Sequence, residues 1–211
     1  MPPSEISPKQ RFRQQARARR AAIDRRAERS AAIAARLMAI PLWAAAQVVS
    51  IYVSFRDEVE TQLLIEAARA SGKQVAIPLC LPDKTLAMIS LLPGDELVPG
   101  SFGILEPARA AGTNERRVTA SQALDIIVIP GLAFDRSCQR MGYGMGHYDR
   151  YLPLLRGDCV KVGLAYDAQM VDQLPTEPHD SPMDVVVTES ELIRSSLFDG
   201  LAGDSPGNAI G

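Results

Sequence analysis

Short apolar runs alternate along the chain with longer segments whose apolar residues fall at helical spacing. The runs are rich in β-branched residues, which predicts strands at residues 47–54, 73–81, 85–92, 126–129, 160–166 and 185–188, the last of these being the final strand. Between the first two, Thr61 can cap a helix that Gly72 ends. This strand–helix–strand order predicts parallel strands joined by a right-handed crossover. The expected fold class is therefore α/β, with a largely parallel central sheet flanked by helices.

Two helices are predicted at the N-terminus. Ser7 and Pro8 supply an N-cap and a first-turn proline, and Asp24 restarts a helix that continues to Ile40. One face of the first helix is cationic, because its basic residues at helical spacing are Lys9, Arg13, Arg17 and Arg20. Such a face is often simply solvated. The alternative is a cationic arm placed over a phosphate.

Three glycines at alternate positions follow the strand at 126–129. Gly142, Gly144 and Gly146 lie between Arg140 and a predicted first helical turn that contains Asp149. Glycine allows a close approach of backbone to ligand, and the first N–H groups of a helix have no partner within it. The spacing matches neither the lysine-containing P-loop nor the dinucleotide fingerprint. It is consistent with a phosphate-binding loop or with a flexible surface turn.

Two carboxylates follow the first predicted strand directly. Ligands in parallel sheets bind at the carboxyl ends of the strands, and Asp57 and Glu58 lie at such an end. A solvated acidic turn is the plain alternative. Further along, Phe102 lies in a loop rich in proline and glycine, where it is either a hydrophobic plug or a platform for a flat ligand ring.

The composition is that of an ordinary globular protein of 211 residues. The net charge of −2 hides an asymmetry, because residues 1–40 carry ten Lys/Arg against three Asp/Glu, while the remainder carries thirteen against twenty-two. The acidic body and the lack of aromatics interleaved with the N-terminal arginines argue against nucleic-acid binding. No apolar run approaches the roughly 20 residues of a membrane span. We expect a monomer that binds neither nucleic acid nor membrane.

Cysteine usage indicates a reducing compartment. Cys80, Cys138 and Cys159 lie far apart, which argues against a disulfide framework and against a thiolate metal site. A cytoplasmic location is expected, although an arginine-rich N-terminus is also compatible with an organelle transit peptide. One domain over residues 1–199 is expected, followed by a disordered tail over residues 200–211.

The metal-binding side chains favour magnesium over zinc. The two histidines, His147 and His179, each lie near an aspartate, Asp149 and Asp180, but at no zinc-ligand spacing. Magnesium commonly uses one or two carboxylates together with substrate phosphates. No serine or cysteine nucleophile motif is present, so covalent acyl-enzyme chemistry has little support.

Several segments together resemble one family, the 5-formyltetrahydrofolate cyclo-ligases, also called methenyltetrahydrofolate synthetases. The most specific segment is PGLAFDRSCQRMGYGMGHYDRYL, and it is accompanied by Lys9-x-x-x-Arg13, DEVET, FGILEP and HDSPMDVVVT. These segments run in the family's order from Lys9 to Thr188. The resemblance implies a fold of the phosphosugar isomerase and CoA transferase type.

The resemblance also implies an activity. A ligase of this type would use ATP to cyclise 5-formyltetrahydrofolate to 5,10-methenyltetrahydrofolate, with release of ADP and phosphate. ATP would be a substrate and Mg²⁺ a cofactor. A non-catalytic regulator that binds nucleotide or folate is the alternative.

Individual residues acquire roles from the same resemblance. Asp149 and Asp180 would hold Mg²⁺, and the residues with a part in catalysis would be Arg140, Tyr148 and Lys9. The residues expected to bind ATP are Lys9, Arg13, Arg140, Met141, Gly142, Tyr143, Gly144, Met145, Gly146, His147 and Tyr148. The residues expected to contact the folate are Val53, Glu58, Phe102 and Tyr148.

The glycine segment departs from the commoner family pattern. Tyr143 stands where a second basic residue often occurs, Met145 replaces a frequent glycine, and His147 replaces an aromatic residue. Loss of a basic residue can weaken nucleotide binding, and Met145 limits the backbone freedom of the loop. We nevertheless expect activity, because the three alternating glycines and the Tyr-Asp pair remain.

Overall fold

The computed structural model of the chain describes residues 7–100, 103, 105–107, 117–177 and 180–198. Phe102, His179 and the C-terminal tail at 200–211 lie outside the described residues. Five strands form the centre of an eight-stranded sheet: β1 (Val48–Ile51), β2 (Gln74–Cys80), β7 (Ile126–Ile129), β10 (Val160–Leu164) and β12 (Val185–Val187). Its outer strands are β3 (Leu86–Ser90), β6 (Val118–Thr119) and β13 (Leu192–Arg194).

The strand order of this sheet is β13-β12-β10-β7-β1-β2-β3-β6. The five central strands are parallel, and the outer pairings are antiparallel. The chain proceeds from β1 to β2 on one side and from β7 to β10 and β12 on the other. The direction of winding therefore reverses between β1 and β7, and open α/β sheets bind ligands beyond the carboxyl ends of strands at such a reversal.

Helices pack on both faces of the sheet. The described α-helices are α1 (Pro8–Ala21), α2 (Arg26–Met38), α3 (Pro41–Ala45), α4 (Gln62–Ala70) and α5 (His147–Tyr151). Ile126 of β7 belongs to the same buried cluster as Leu37 of α2 and Leu64 of α4. Ile127 belongs to a second cluster with Tyr151 of α5. Because β7 is buried on both faces, its sequence is apolar throughout rather than alternating.

Helix α1 packs against a small second sheet. That sheet is built from β8 (Ala133–Asp135), β9 (Arg140–Met141) and β11 (Met170–Val171), in the order β11-β8-β9. Phe12 and Ala16 of α1 pack there with Leu132 and Met141. These two helix residues are four apart, so they share one face of the helix. This packing holds α1 beside the glycine segment that follows β9.

One further small sheet completes the described fold. A hairpin pairs β4 (Leu97–Pro99) with β5 (Leu105–Pro107). None of the described helices is long and apolar enough to cross a membrane.

The expected α/β class with its largely parallel central sheet is confirmed. Most of the observed strands and helices are shorter than predicted. Helix α1 begins with the expected Ser7 cap, which forms a full capping box with Gln10. Thr61 occupies the N-cap position of α4, but its side chain makes no capping bond, because its hydroxyl donates to the carbonyl of Tyr52. The expectation that residues 185–188 form the final strand is wrong, since β13 follows and pairs with β12.

Candidate active site

The candidate site lies beyond the carboxyl ends of β1 and β7. The loop after β1 contributes Asp57 and Glu58, and the segment after β7 contributes Gly131. Hydrogen bonds join this region to the glycine segment and to α1. The reversal point of the sheet therefore brings acidic residues and cations together.

Glu58 is a buried carboxylate with both oxygens hydrogen bonded. The residue is only 8% exposed. The hydroxyl of Tyr143 donates to Oε1 at 2.6 Å, and the backbone N–H of Phe55 donates to Oε2 at 3.0 Å. Burial raises the pKa of Glu58 above its ordinary value, and these hydrogen bonds oppose the rise. The carboxylate is therefore an oriented acceptor in a poorly solvated place.

Arg20 and Asp57 form a bidentate ion pair beside Glu58. Nε and one terminal nitrogen of Arg20 donate to the two oxygens of Asp57 at 2.9 and 3.1 Å. The other terminal nitrogen donates to the carbonyl of Gly131 at 3.2 Å. Burial acts to lower the pKa of Arg20, but the hydrogen bonds to Asp57 and the nearness of Tyr143 raise it above its ordinary value. Arg20 is therefore a fixed cation that ties α1 to the ends of β1 and β7.

The glycine segment contacts α1 through Arg13. Nε of Arg13 donates to the carbonyl of Gly142 at 3.2 Å. A Cβ added at Gly144 would lie 3.2 Å from the guanidinium carbon of Arg13, and Gly144 has a φ of +95°. Both the backbone conformation and the close approach therefore favour glycine at this position.

Arg140 contacts the glycine segment at Gly142, and one of its side-chain nitrogens makes no hydrogen bond to a described residue. One terminal nitrogen donates to Asp149 at 2.8 Å, and the guanidinium carbon is 5.5 Å from the centre of the Tyr148 ring. Its Nε is buried and has no hydrogen-bond partner among the described residues. A Cβ at Gly142 would lie 2.8 Å from a terminal nitrogen of Arg140. Glycine at position 142 therefore leaves the space that this guanidinium needs.

Tyr148 stays protonated at neutral pH. Burial raises the pKa of its hydroxyl, and the negative charge of Glu58 adds to the rise. Its ring also lies against Arg140. Tyr148 is therefore a neutral hydrogen-bond donor near both a buried carboxylate and a buried cation.

Lys9 is engaged by carboxylates from the C-terminal part of the chain. It donates to Glu177 at 2.9 Å and to Asp180 at 3.1 Å. The two predicted magnesium ligands are thus each paired with a different cation, Asp180 with Lys9 and Asp149 with Arg140. Within the part of the chain that the structure describes, no three His, Cys, Asp or Glu residues form a metal-binding group.

The remaining residues predicted for the site lie in varied surroundings. The ring of His147 lies 2.7 Å from the carbonyl of Lys84 and 3.8 Å from the thiol of Cys80. Val53 and Met141 are buried in two different apolar clusters. Gly146 has a φ of +65° and precedes α5, and Met145 before it is half exposed.

Two arginines of α1 belong to the site although the sequence gives them no role beyond the cationic face. Arg20 has the helical spacing of that face, but its partner Asp57 is 37 residues away. The guanidinium carbon of Arg17 lies 5.7 Å from the centre of the Tyr143 ring. The signal that could have found them is the combination of a basic helix face with an acidic strand end.

The fold and the site define an α/β protein in which a buried carboxylate lies beside a glycine segment flanked by arginines, at the point where the sheet reverses. The profile of the 5-formyltetrahydrofolate cyclo-ligase family matches residues 5–189. The chain therefore belongs to the 5-formyltetrahydrofolate cyclo-ligase family, a family of ligases whose activity is the ATP-dependent cyclisation of 5-formyltetrahydrofolate. The resemblance in the sequence motifs is confirmed.

Individual relatives agree with this assignment. The 5-formyltetrahydrofolate cyclo-ligase of Escherichia coli (strain K12) is 36% identical over 162 residues, which cover 75% of this chain and 87% of the relative. The Mus musculus protein of the same name is 34% identical over 149 residues, covering 67% and 72%.

Solved structures agree on the fold. The NMR structure of Aquifex aeolicus 5,10-methenyltetrahydrofolate synthetase has a TM-score of 0.76 at 27% identity, covering 96% of this chain and 99% of that one. A 5,10-methenyltetrahydrofolate synthetase from Mycoplasma pneumoniae has a TM-score of 0.69 at 21% identity, covering 87% and 99%, and shows the likeness of fold alone.

Proposed function

We propose that this chain converts 5-formyltetrahydrofolate and ATP to 5,10-methenyltetrahydrofolate, ADP and phosphate in the crevice between the ends of β1 and β7. The observation that carries the proposal is the 2.6 Å hydrogen bond between Glu58 and Tyr143 of the glycine segment. This bond supports the proposal because it joins two groups suited to the two substrates. The Glu58 carboxylate can accept from the N–H groups of the pterin ring, and the cations that flank the glycine segment can bind phosphates.

The phosphates of ATP would bind at the glycine segment. Arg13 and Arg140 flank that segment, and Gly144 allows the backbone to approach a ligand closely. Arg140 also has a buried Nε that bonds no other described residue. Phosphoryl transfer requires mainly positioning and the neutralisation of charge by such cations.

The pterin ring of the folate would bind at Glu58. A carboxylate accepts hydrogen bonds from the N–H groups on the edge of the ring. Because both oxygens of Glu58 are already held in place, the carboxylate is preorganised for that role. Burial strengthens each such hydrogen bond, because the local dielectric is low.

The reaction would proceed through an activated formyl group. ATP phosphorylates the formyl oxygen and releases ADP, and N10 of the folate then attacks the activated carbon. The bond from that carbon to oxygen breaks, so phosphate leaves with the oxygen and takes up the N10 proton. Tyr148 lies near Glu58 and beside Arg140, and its hydroxyl is protonated. It can therefore donate a hydrogen bond to the oxygen that gains negative charge as it leaves the formyl carbon with phosphate. The positive charge of Arg140 would stabilise the same oxygen.

Asp149 and Asp180 have the donor chemistry that Mg²⁺ prefers, and both carboxylates are partly exposed. Magnesium bound to ATP would neutralise phosphate charge. One or two protein carboxylates suffice for such an ion, since phosphates and waters complete its shell. Its binding here would compete with the ion pairs that these aspartates make with Arg140 and Lys9.

The test is conversion of 5-formyltetrahydrofolate by the purified protein with Mg-ATP, followed by the absorbance of the methenyl product. Glu58→Gln should reduce turnover strongly at limiting folate, because it weakens the acceptor. Glu66→Gln is the matched control, since Glu66 is an exposed residue of α4 that bonds Gln62. Binding of both ligands by the wild type without formation of product or ADP would refute catalysis and indicate a regulator.

A further inference from the structure

Tyr143 connects the glycine segment to the carboxylate on the opposite side of the crevice. Its backbone lies between Gly142 and Gly144, and its hydroxyl reaches Oε1 of Glu58 across 85 residues of sequence. The ring is held by two cations of α1. The guanidinium carbons of Arg17 and Arg20 lie 5.7 and 5.3 Å from its centre.

The hydroxyl of Tyr143 has a specific effect on Glu58. The second oxygen of Glu58 is fixed by the N–H of Phe55 in its own loop, while the first depends on Tyr143. Arg20 lies 3.9 Å from that first oxygen, but its hydrogen bonds go to Asp57 and to a backbone carbonyl. The orientation of the Glu58 carboxylate therefore depends on a residue of the glycine segment.

We propose that Tyr143 is a positioning residue that couples the two halves of the active site. The Tyr143 hydroxyl orients the Glu58 carboxylate for the folate ring, and an anion bound by the glycine segment strengthens that arrangement because it restricts Tyr143 further. The inference rests on the proposed function, because it takes the anion to be ATP and the second ligand to be the formylated folate. Thermodynamic linkage requires the effect to be mutual, so bound folate must also favour nucleotide.

Electrostatics support a lasting hydrogen bond. Tyr143 is 39% exposed as a whole, but desolvation at its hydroxyl raises the pKa of that group and the charge of Glu58 adds to the rise, so the hydroxyl remains a donor at neutral pH. Burial also raises the pKa of Glu58, while the bond from Tyr143 acts to lower it. Removal of the hydroxyl therefore leaves a carboxylate that protonates at higher pH than in the wild type.

The other ionisable groups near Glu58 keep their charge states at the pH at which Glu58 takes up a proton. Burial raises the pKa of the neighbouring tyrosines, so they stay neutral, and the pKa shifts of the Arg20–Asp57 pair keep both of its members charged. These groups are Tyr52, Tyr148, Arg20 and Asp57. A pH effect on folate binding near the raised pKa of Glu58 therefore reports Glu58 itself.

The experiment measures the Kd of 5-formyltetrahydrofolate by calorimetry, with and without a non-hydrolysable ATP analogue and magnesium. Three proteins are compared: wild type, Tyr143→Phe and Tyr151→Phe. Phenylalanine at 143 keeps the ring that Arg17 and Arg20 contact and removes only the hydroxyl. Tyr151 is the matched control, because it is a buried tyrosine of α5 that packs in the second apolar cluster with Ile127.

In the wild type and in Tyr151→Phe, the analogue should tighten folate binding about fivefold or more, the lower end of ordinary coupling between sites. In Tyr143→Phe that factor should fall to about one. The pH below which folate binding is lost should also move upward. A merely structural role would not produce this pH shift.

The outcomes separate the inference from the function on which it rests. Wild-type coupling that persists in Tyr143→Phe overturns the inference and leaves the proposed function standing. If the wild type binds both ligands and converts folate, but the analogue does not change its affinity for folate, the inference is likewise overturned and the proposed function stands. Failure of the wild type to bind either ligand overturns both.

Discussion

Replacement of Arg20 by methionine should destabilise the protein far more than the loss of an ordinary surface ion pair. Methionine keeps much of the length and apolar stem of the side chain while it removes the guanidinium. The side chain of Arg20 is 4% exposed and that of Asp57 is 20% exposed. Breaking a buried pair by removing one partner costs about 3–5 kcal/mol, and the partial exposure of Asp57 places the expected cost at about 3 kcal/mol.

Urea denaturation at neutral pH measures this cost. With a slope of about 2–3 kcal/mol per molar, the midpoint should fall by about 1 M. Arg136→Met is the matched control, because Arg136 makes a similar bidentate pair with Glu191 but has a side chain that is 68% exposed. Its cost should stay below about 1 kcal/mol. Equal shifts of the midpoint in the two variants would refute the reasoning.

The same pair should give a defined pH dependence. Burial acts to raise the pKa of Asp57, but the hydrogen bonds from Arg20 lower it below its ordinary value. The stabilisation is therefore complete above the unfolded pKa of about 3.9 and is lost as pH falls through the lower folded pKa. The difference between wild type and Arg20→Met should accordingly be constant from about pH 5 to 8.

Three further predictions concern ligands. Arg13→Ala should raise the KM for ATP, because it removes a cation at Gly142, and an unchanged ATP dependence would exclude α1 from the site. Asp149→Asn should impair magnesium-dependent turnover more than folate binding, as steady-state rates and calorimetry would show; equal losses in both would contradict a metal role. Folate affinity should weaken as pH falls through the raised pKa of Glu58, and a pH-titrated Kd that changes only below the ordinary pKa of a glutamate carboxyl would contradict this.

Local patterns in the sequence predict much of the fold. The strand at residues 126–129 has its predicted bounds, because an apolar run buried on both faces and followed by Pro130-Gly131 allows little else. The capped start of α1 follows from Ser7 and Pro8, since these two residues act within one helical turn. The two-residue strand β9 and the three-residue strand β13 are too short to show a period, and neither was predicted.

The contacts of the site could be predicted only in part. The glycines and the strand-end carboxylates are visible in the sequence because each belongs to one local pattern. The bond from Tyr143 to Glu58 and the pair of Arg20 with Asp57 join distant parts of the chain, and no periodicity marks such contacts. The expectation that Tyr143 binds nucleotide stays a prediction.

Ion pairs hold helix α1 near both of its ends, and the two sets of ion pairs differ in their exposure to solvent. At one end the Arg20 side chain is 4% exposed, while at the other the Lys9 side chain is 18% exposed and one of its two partners, Glu177, is 51% exposed. Salt screens exposed charges and has much less effect on enclosed ones. Rising ionic strength should therefore loosen the Lys9 end first, so that α1 swings about its Arg20 end. Arg13 lies between the two ends and would move away from Gly142 before the sheet loses any stability.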